Sequence, residues 1–330
     1  MQQIEIRKNE AGQRLDKFLH KFMPLAPTSF FYKMLRKKNI TLNNKRAEGS
    51  EKLMIGDKLS LYLSDETIQN FKKETHTFDE YEKAFHVLKN IEIVYEDEHV
   101  ILMNKPAGVL SQKAGASDLS LNEWMIGYLL AQKHLGEKEL LTFKPSICNR
   151  LDRNTMGLVI GAKSLEGSQK MSQLIKERKI RKFYRMLVMG KVEKEETLEG
   201  FLIKDQESNK VRLTKKESKD KSAYIKTRYY PLQVFSDKTL VEAELITGKP
   251  HQIRIHLSST GHPLLGDYKY GNRQWNDKYK KFFSINSQLL YANRLEFPEL
   301  ESPFENLSRR RIEIPAPFIF YQIINEELNL

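Results

Sequence analysis

The chain has 330 residues, 55 Lys and Arg against 43 Asp and Glu, a formal charge of +12 and one cysteine, Cys148. A single thiol excludes an internal disulfide and a thiolate zinc cage, and no apolar run approaches bilayer-spanning length, so a soluble cytoplasmic protein with no membrane partner is expected. The length suggests two domains, and the basic excess favours a polyanionic partner.

The first predicted element lies in GQRLDKFLHKF, where Leu15, Phe18, Leu19 and Phe22 at i, i+3, i+4 and i+7 form one apolar stripe of a helix. Asp16 falls in its first turn on the polar side, where an acid suits the helix dipole. Thr28 or Ser29 is placed to cap a second helix that turns Phe31, Met34 and Leu35 inward and leaves Lys33, Arg36 and Lys37 on other faces. NITLNNKRA reads as a strand, a turn at Asn43-Asn44 and a basic exit through Lys45 and Arg46, and MIGDKLSLYL closes the unit at about Leu63. Residues 64–90 are polar and charged without strong periodicity, which marks a connector.

From Ile91 the pattern changes to short strands, among them IEIVYED, HVILMNKP, GLVIGAK, KFYRMLVMGKV, SAYIKTRYYPLQVF and TLVEAELIT. Helical stretches, Leu121 to His134 and Ser164 to Lys179, lie between them. The expected fold class is α+β, with a largely antiparallel mixed sheet flanked by helices. The charged stretch from Lys204 to Lys221 reads as a solvated hairpin loop.

Four stretches could carry chemistry: NKPAGVLSQ from Asn104, NRLDRNTMG from Asn149, RKFYRMLVMG from Arg181 and TGKPHQIRIHLSSTGHPLLGD from Thr247. The second repeats the Arg-Leu-Asp of the first helix in a different setting. Asp152 sits in an irregular turn ahead of the apolar run Leu158-Val159-Ile160, where a rigid sheet can hold a loop carboxylate for work. In the last stretch Ile253, His256 and Leu257 keep helical spacing and Gly261 and Pro263 end the helix, so Arg254 projects from its first turns. His251 and His256 match no zinc spacing and have no acid or thiolate beside them. Gly248-Lys249-Pro250 lacks both flanks of a phosphate loop, and no serine triad is supported. Cys148 reads as a small buried filler. What remains is one Asp, one Tyr and one Arg in three separated segments.

Those segments resemble the RluA-type pseudouridine synthases from about Ile91 to Leu300. The family's His-Arg-Leu-Asp-x-x-Thr-Ser-Gly motif matches Asn149 to Gly157, its Lys-x-Tyr strand matches Lys182 to Tyr184, and its Thr-Gly-Arg-x-His-Gln-Ile-Arg-x-His-Leu stretch matches Thr247 to Leu257. Its Gly-Asp-x-x-Tyr-Gly element corresponds to Gly266 to Gly271. Residues 12 to 63 resemble the small RNA-binding domain named after ribosomal protein S4. The implied division is an S4-like domain over 1–63, a connector over 64–90 and a catalytic domain over 91–330. Asn149, Met156 and Lys249 stand where the family has His, Ser and Arg, and LSQKAG after Val109 lacks the common His-Pro.

The resemblance implies isomerisation of uridine in structured RNA, with large-subunit ribosomal RNA as the expected target. Asp152 takes the catalytic role, Arg254 keeps it ionised, and Tyr184 offers a flat face for the base and a phenol that could move a proton. Arg150 would fill the gap left by a flipped nucleotide, the alternative being a surface salt bridge. Lys33, Arg36, Lys37, Lys38, Lys45 and Arg46 could contact phosphates. Because the product is an isomer of the substrate, no cofactor or metal is expected. Two alternatives remain: a silent RNA-binding module of the same fold, motivated by Asn149 and Met156, and a nucleoside glycosidase releasing free base.

Overall fold

A computed structural model describes residues 1–7, 9–72, 77–140, 143–204, 211–214 and 222–326. At the N-terminus come β1 (Gln2–Glu5), α1 (Leu15–Phe22), α2 (Thr28–Arg36), β2 (Ile40–Leu42), β3 (Lys45–Arg46) and β4 (Lys58–Leu61). The four strands form an antiparallel sheet in the order β1-β4-β2-β3. The apolar stripe of α1 meets Phe31, Met34 and Leu35 of α2 against Ile40, Leu59 and Leu61 of the sheet. Asn43 and Asn44, at φ 51° and 59°, make the two-residue turn between β2 and β3 that matches strand twist. Neither Thr28 nor Ser29 caps α2. The cap position is Pro27, whose fixed φ suits it without a side-chain bond, and Thr28 is the first helical residue.

Residues 64–90, expected as a connector, carry two helices. Ser64 caps α3 (Asp65–Phe71), accepting from the Thr67 N–H, and Ile68 and Phe71 pack into the N-terminal core. In α4 (Thr77–Val87), Tyr81 and Ala84 join the core of the larger unit, packed on α5 (Leu121–Ala131). There the backbones nearly touch: a Cβ at Gly127 would lie 2.2 Å from the Tyr81 carbonyl oxygen. Each helix buries about one turn's worth of apolar residues among charges, too little for a periodic signal.

The larger sheet gathers β5 (Glu92–Glu96), β6 (Val100–Lys105), β7 (Ser146–Ile147), β8 (Met156–Ala162), β9 (Arg181–Met189), β10 (Glu196–Lys204), β11 (Val211–Thr214), β12 (Ser222–Val234), β13 (Lys238–Leu245), β14 (Leu290–Glu296) and β15 (Arg311–Glu313). Its order is β11-β10-β12-β13-β9-β14-β8-β6-β5, with β15 beside β14 and β7 beside β8. The pairing is antiparallel except between β14 and β8. The remaining helices are the short α6 (Glu137–Leu140), α7 (Leu165–Lys176), α8 (Gln252–Ser259), α9 (Arg273–Phe283) and α10 (Phe318–Asn325).

Both faces of this sheet are covered, so its strands read as near-continuous apolar runs. On one face Ile101, Met103, Val159, Tyr184 and Met186 pack against Trp124 and Met125 of α5 and Ile253 and Leu257 of α8. On the other, Val100, Leu102, Leu158, Ile160 and Leu187 meet Met171 of α7, Tyr279 of α9 and Phe320 of α10. The stretch from Lys204 to Lys221, expected as a loop, contributes β11 paired to β10; 205–210 and 215–221 lie outside the described residues. Among the described residues no helix is long and apolar enough to cross a membrane.

Candidate active site

Asp152 stands in the turn between β7 and β8, closed by the Thr155 N–H donating to the Asp152 carbonyl at 3.0 Å. Two residues beyond Thr155, Gly157 lies at φ 112°, where a Cβ would come 2.3 Å from the Ala292 carbonyl oxygen on β14. Any larger residue would push β14 away and tilt the turn. Asn149, in the family's His position, uses its Oδ1 to accept the Ile160 N–H at 2.7 Å, so the amide ties the start of the turn to β8. Met156 packs at the margin of the second core face.

The loop after β6 braces the same turn from the side. Lys105, fully buried, donates from Nζ to the carbonyls of Pro106 at 3.0 Å, Val109 at 2.8 Å and Arg153 at 3.0 Å. Burial pushes its amine down to about 7, and the charge of Asp152 opposes that. Three carbonyls match the three N–H of an ammonium, so the geometry favours the charged form. Ser111 grips the neighbour of Asp152 twice, donating to the Leu151 carbonyl at 2.8 Å and accepting its N–H at 3.0 Å. Replacing Lys105 with Met leaves three carbonyls without their donor. It should lower the unfolding free energy by about 2–3 kcal/mol. Urea denaturation measures this, and an unchanged midpoint and slope would contradict it.

Arg254 reaches Asp152 from the first turn of α8. Its Nη1 donates to Asp152 Oδ2 at 3.3 Å, while Nε and Nη2 donate to the two oxygens of Asp267 at 2.7 and 2.9 Å. Asp267 is 1% exposed, so this fork is a buried ion pair, and Asp152, 29% exposed, is its open end. The guanidinium also lies over the Tyr270 ring, 5.1 Å from its centroid. His251 precedes α8 with Nδ1 3.1 Å from Asp152 Oδ2 and 2.6 Å from Arg254 Nη1. Burial alone would raise the Asp152 carboxyl, but contacts with His251 and Arg254 hold it below its ordinary value.

Tyr184 is buried on β9, paired across to Ala243 of β13 and Ala292 of β14. Burial, reinforced by the negative charge of Asp152, pushes its phenol up, so the hydroxyl stays protonated at neutral pH. Two positions before it on the same face, Lys182 has its amine pushed down by burial and by the neighbouring charge of Arg178. The structure therefore brings Asp152, Tyr184 and Arg254 together from a turn, a strand and a helix.

The other sequence-predicted site residues lie elsewhere. Arg150 is exposed beside the turn and makes no ion pair among the described residues, so the surface-salt-bridge alternative finds no partner there. Lys33, Arg36, Lys37, Lys38, Lys45 and Arg46 are all exposed on the N-terminal unit, and none is ion-paired among the described residues. Cys148 is half-buried, its thiol pushed up to about 12 by burial, which makes it a poor nucleophile. Sequence reasoning passed over Lys105, Ser111, Asp267 and the contacts of His251. All four fall within stretches it had singled out, but nothing in a linear motif says which members face one another.

An ionised carboxylate that faces solvent, held by a guanidinium whose second acid, Asp267, is buried in its own ion pair, with a tyrosine nearby, defines an α+β protein with a site suited to one charged step at carbon, unlike the paired open acids of glycoside hydrolysis. Residues 99–259 match the family described as RNA pseudouridylate synthase. The ribosomal large subunit pseudouridine synthase C of Vibrio cholerae is 30% identical over 96% of this chain and 93% of its own length. That of Escherichia coli is 28% identical over 89% of this chain and 88% of its own length. Human RNA Pseudouridylate Synthase Domain Containing 4 shares the fold, with TM-score 0.55 and 22% identity over 75% of this chain and 96% of that one. The chain belongs to the RNA pseudouridylate synthase family, in its RluA-type branch.

Proposed function

We propose that this protein isomerises uridine to pseudouridine in large-subunit ribosomal RNA, with Asp152 as the catalytic anion. The observation that carries the reading is the Asp152–Arg254–Asp267 chain, in which a buried ion pair aims one guanidinium hydrogen at a carboxylate that faces solvent. The reaction breaks the bond from ribose C1′ to uracil N1 and joins C1′ to C5. The C5 hydrogen leaves as a proton and N1 regains one, so nothing is oxidised and no water is consumed. Hydrolysis of a glycoside needs two carboxylates, because the leaving group or the attacking water must exchange a proton. Here uracilate leaves as a stabilised anion and stays in the site, so one carboxylate suffices. Asp152 is that anion, whether attack at C1′ or removal of the C2′ proton opens the reaction.

Arg254 keeps Asp152 charged and oriented. Tyr184 presents its ring to the base and a neutral phenol to the oxygen-rich edge around it. The target base must leave its stack, at a cost of about a few kcal/mol, and Arg150, exposed and unpaired beside the turn, is placed to fill the gap with its planar guanidinium. On this reading the chain works in the cytoplasm without a cofactor. Mass spectrometry of digested RNA after incubation with the purified protein alone tests it. Pseudouridine is the expected product; free uracil would indicate a glycosidase, and unchanged uridine a silent binding module.

The N-terminal unit, S4-like over residues 1–63, supplies a sequence-independent grip on the RNA. Six unpaired cations on its surface support this. Because α3 packs into the same core, a cut at Leu63 would strip that core of Ile68 and Phe71, so substitution tests the grip more cleanly than truncation. Replacing the six with Gln should weaken RNA binding and flatten its salt dependence by about 0.7–0.9 in log-log slope per lost phosphate contact. A slope unchanged in filter-binding titrations would mean these charges serve only solubility.

A further inference from the structure

His251 is not assigned a role by the family motif's Asp, Tyr and Arg, yet it makes the shortest contact in the site. From its geometry we propose that His251 is a positioning residue whose neutral Nδ1 accepts from Arg254 and sets how tightly that arginine engages Asp152. The inference rests on the reading of Asp152 as the catalytic anion.

The hydrogens of Arg254 decide the assignment. A guanidinium only donates, so at 2.6 Å from Arg254 Nη1 the Nδ1 atom of His251 is an acceptor. That leaves the ring hydrogen on Nε2. Only a ring protonated on Nδ1 would donate across the 3.1 Å to Asp152 Oδ2, and the His251 share of the Asp152 depression belongs to that form. A proton on Nδ1 would satisfy Asp152 but would set two N–H donors 2.6 Å apart with no acceptor between them. Arg254 is therefore the cation that keeps Asp152 ionised, and its Nη1 spends one hydrogen on each of two acceptors.

The distances show the consequence. Charge-assisted N–H···O bonds run at about 2.7–2.9 Å. Arg254 meets that range at Asp267, with 2.7 and 2.9 Å, but stands 3.3 Å from Asp152 Oδ2. The Asp267 fork fixes two nitrogens, His251 takes one hydrogen of the third, and Asp152 is held by a single long contact. Asp152 Oδ1 has no hydrogen bond among the described residues. A carboxylate gripped by both oxygens would be ionised but unreactive; held by one, it keeps the charge and leaves the other oxygen for the substrate.

The backbone supports the same conclusion. His251 lies at φ 57°, ψ 12°, in the left-handed region that Gly enters freely and that Asn, Asp and His enter more readily than other side chains. Its ring is flanked by Tyr270, with centroids 5.6 Å apart. That backbone, with the Tyr270 ring alongside, fixes the direction in which Nδ1 points.

That conformation also supplies the controls. Gly occupies left-handed backbone without strain and removes the acceptor. Asn tolerates the same backbone, and its Oδ1 can occupy the place of Nδ1 as a permanent acceptor. Single-turnover rates and RNA dissociation constants are measured for the parent, His251→Gly and His251→Asn on one RNA known to be modified. We expect His251→Gly to lower the single-turnover rate about tenfold or more with affinity retained, and His251→Asn to return it to within about threefold of the parent. A Gly variant as fast as the parent, or an Asn variant as slow as Gly, would overturn the proposal. So would a Gly variant that loses affinity in step with rate, which would assign His251 to holding the fold. A parent that forms no pseudouridine would instead overturn the functional reading, and this inference with it.

Discussion

Asp152→Asn is expected to abolish pseudouridine formation, by about four to six orders of magnitude in single-turnover rate, while RNA affinity stays within about twofold of the parent. Asn preserves the size of the side chain and can still meet Arg254 Nη1, so the turn keeps its shape. It carries no charge and cannot attack or take up a proton. The matched control is Asp16→Asn, in the other Arg-Leu-Asp of the chain. There the carboxylate pairs with exposed Arg14 at 2.7 Å and accepts the Lys17 N–H in the first turn of α1. Exposed pairs of this kind contribute little, and activity should change less than about twofold. Equal losses in the two variants would mean that the copies do the same job.

Arg254→Gln is expected to fail in two separable ways. Asp267, 1% exposed, keeps the Lys269 and Tyr270 N–H on Oδ1 but loses its cation, and a buried charge stripped of its ion pair costs about 3–5 kcal/mol of stability. Asp152 loses the cation that orients it, which should lower the single-turnover rate about 100-fold. The pH dependence separates the second effect from the first. The parent carboxyl is held below its ordinary value against burial, so the acid limb of its rate profile lies low. Without Arg254 burial is opposed by the His251 contact alone, so the carboxyl rises part of the way and the limb moves to higher pH. The same depression gives Asp152 a stabilising contribution that is present above its unfolded-state value and lost as pH falls through its folded-state value. Arg254→Lys keeps a charge but not the planar fork, and should restore only part of either property. A limb that stays in place in Arg254→Gln would show that Arg254 does not set the ionisation of Asp152.

The sequence exposes those parts of the molecule whose signals are local. The stripe Leu15-Phe18-Leu19-Phe22 and the Asn43-Asn44 turn lie within a few residues of the elements they specify. The turn at Asn149–Gly157 was legible for the same reason, since polar turn residues run straight into an apolar strand. β14 was not legible, although it forms the hinge of the sheet, pairing antiparallel to β9 and parallel to β8. Its residues LYANRLE interrupt an apolar pattern with Asn293 and Arg294, which are buried against Glu242. A strand whose polar residues are paired inside the protein resembles a surface segment when read alone. The site has the same difficulty. Asp152 and Arg254 are 102 residues apart, and their meeting depends on strand order that no periodicity encodes. Lys105 lies in a stretch marked for chemistry, but only the converging carbonyls of the loop and the Asp152 turn reveal why a lysine is buried there.

The most direct measurement is a pseudouridine map of large-subunit ribosomal RNA from cells lacking the gene, complemented in turn with the parent, Asp152→Asn and Asp16→Asn. One or more uridines should lose modification on deletion and regain it with the parent and with Asp16→Asn, but not with Asp152→Asn expressed at the same level. A map unchanged by the deletion, or restored in full by Asp152→Asn, would contradict the assignment of a single catalytic aspartate acting on ribosomal RNA.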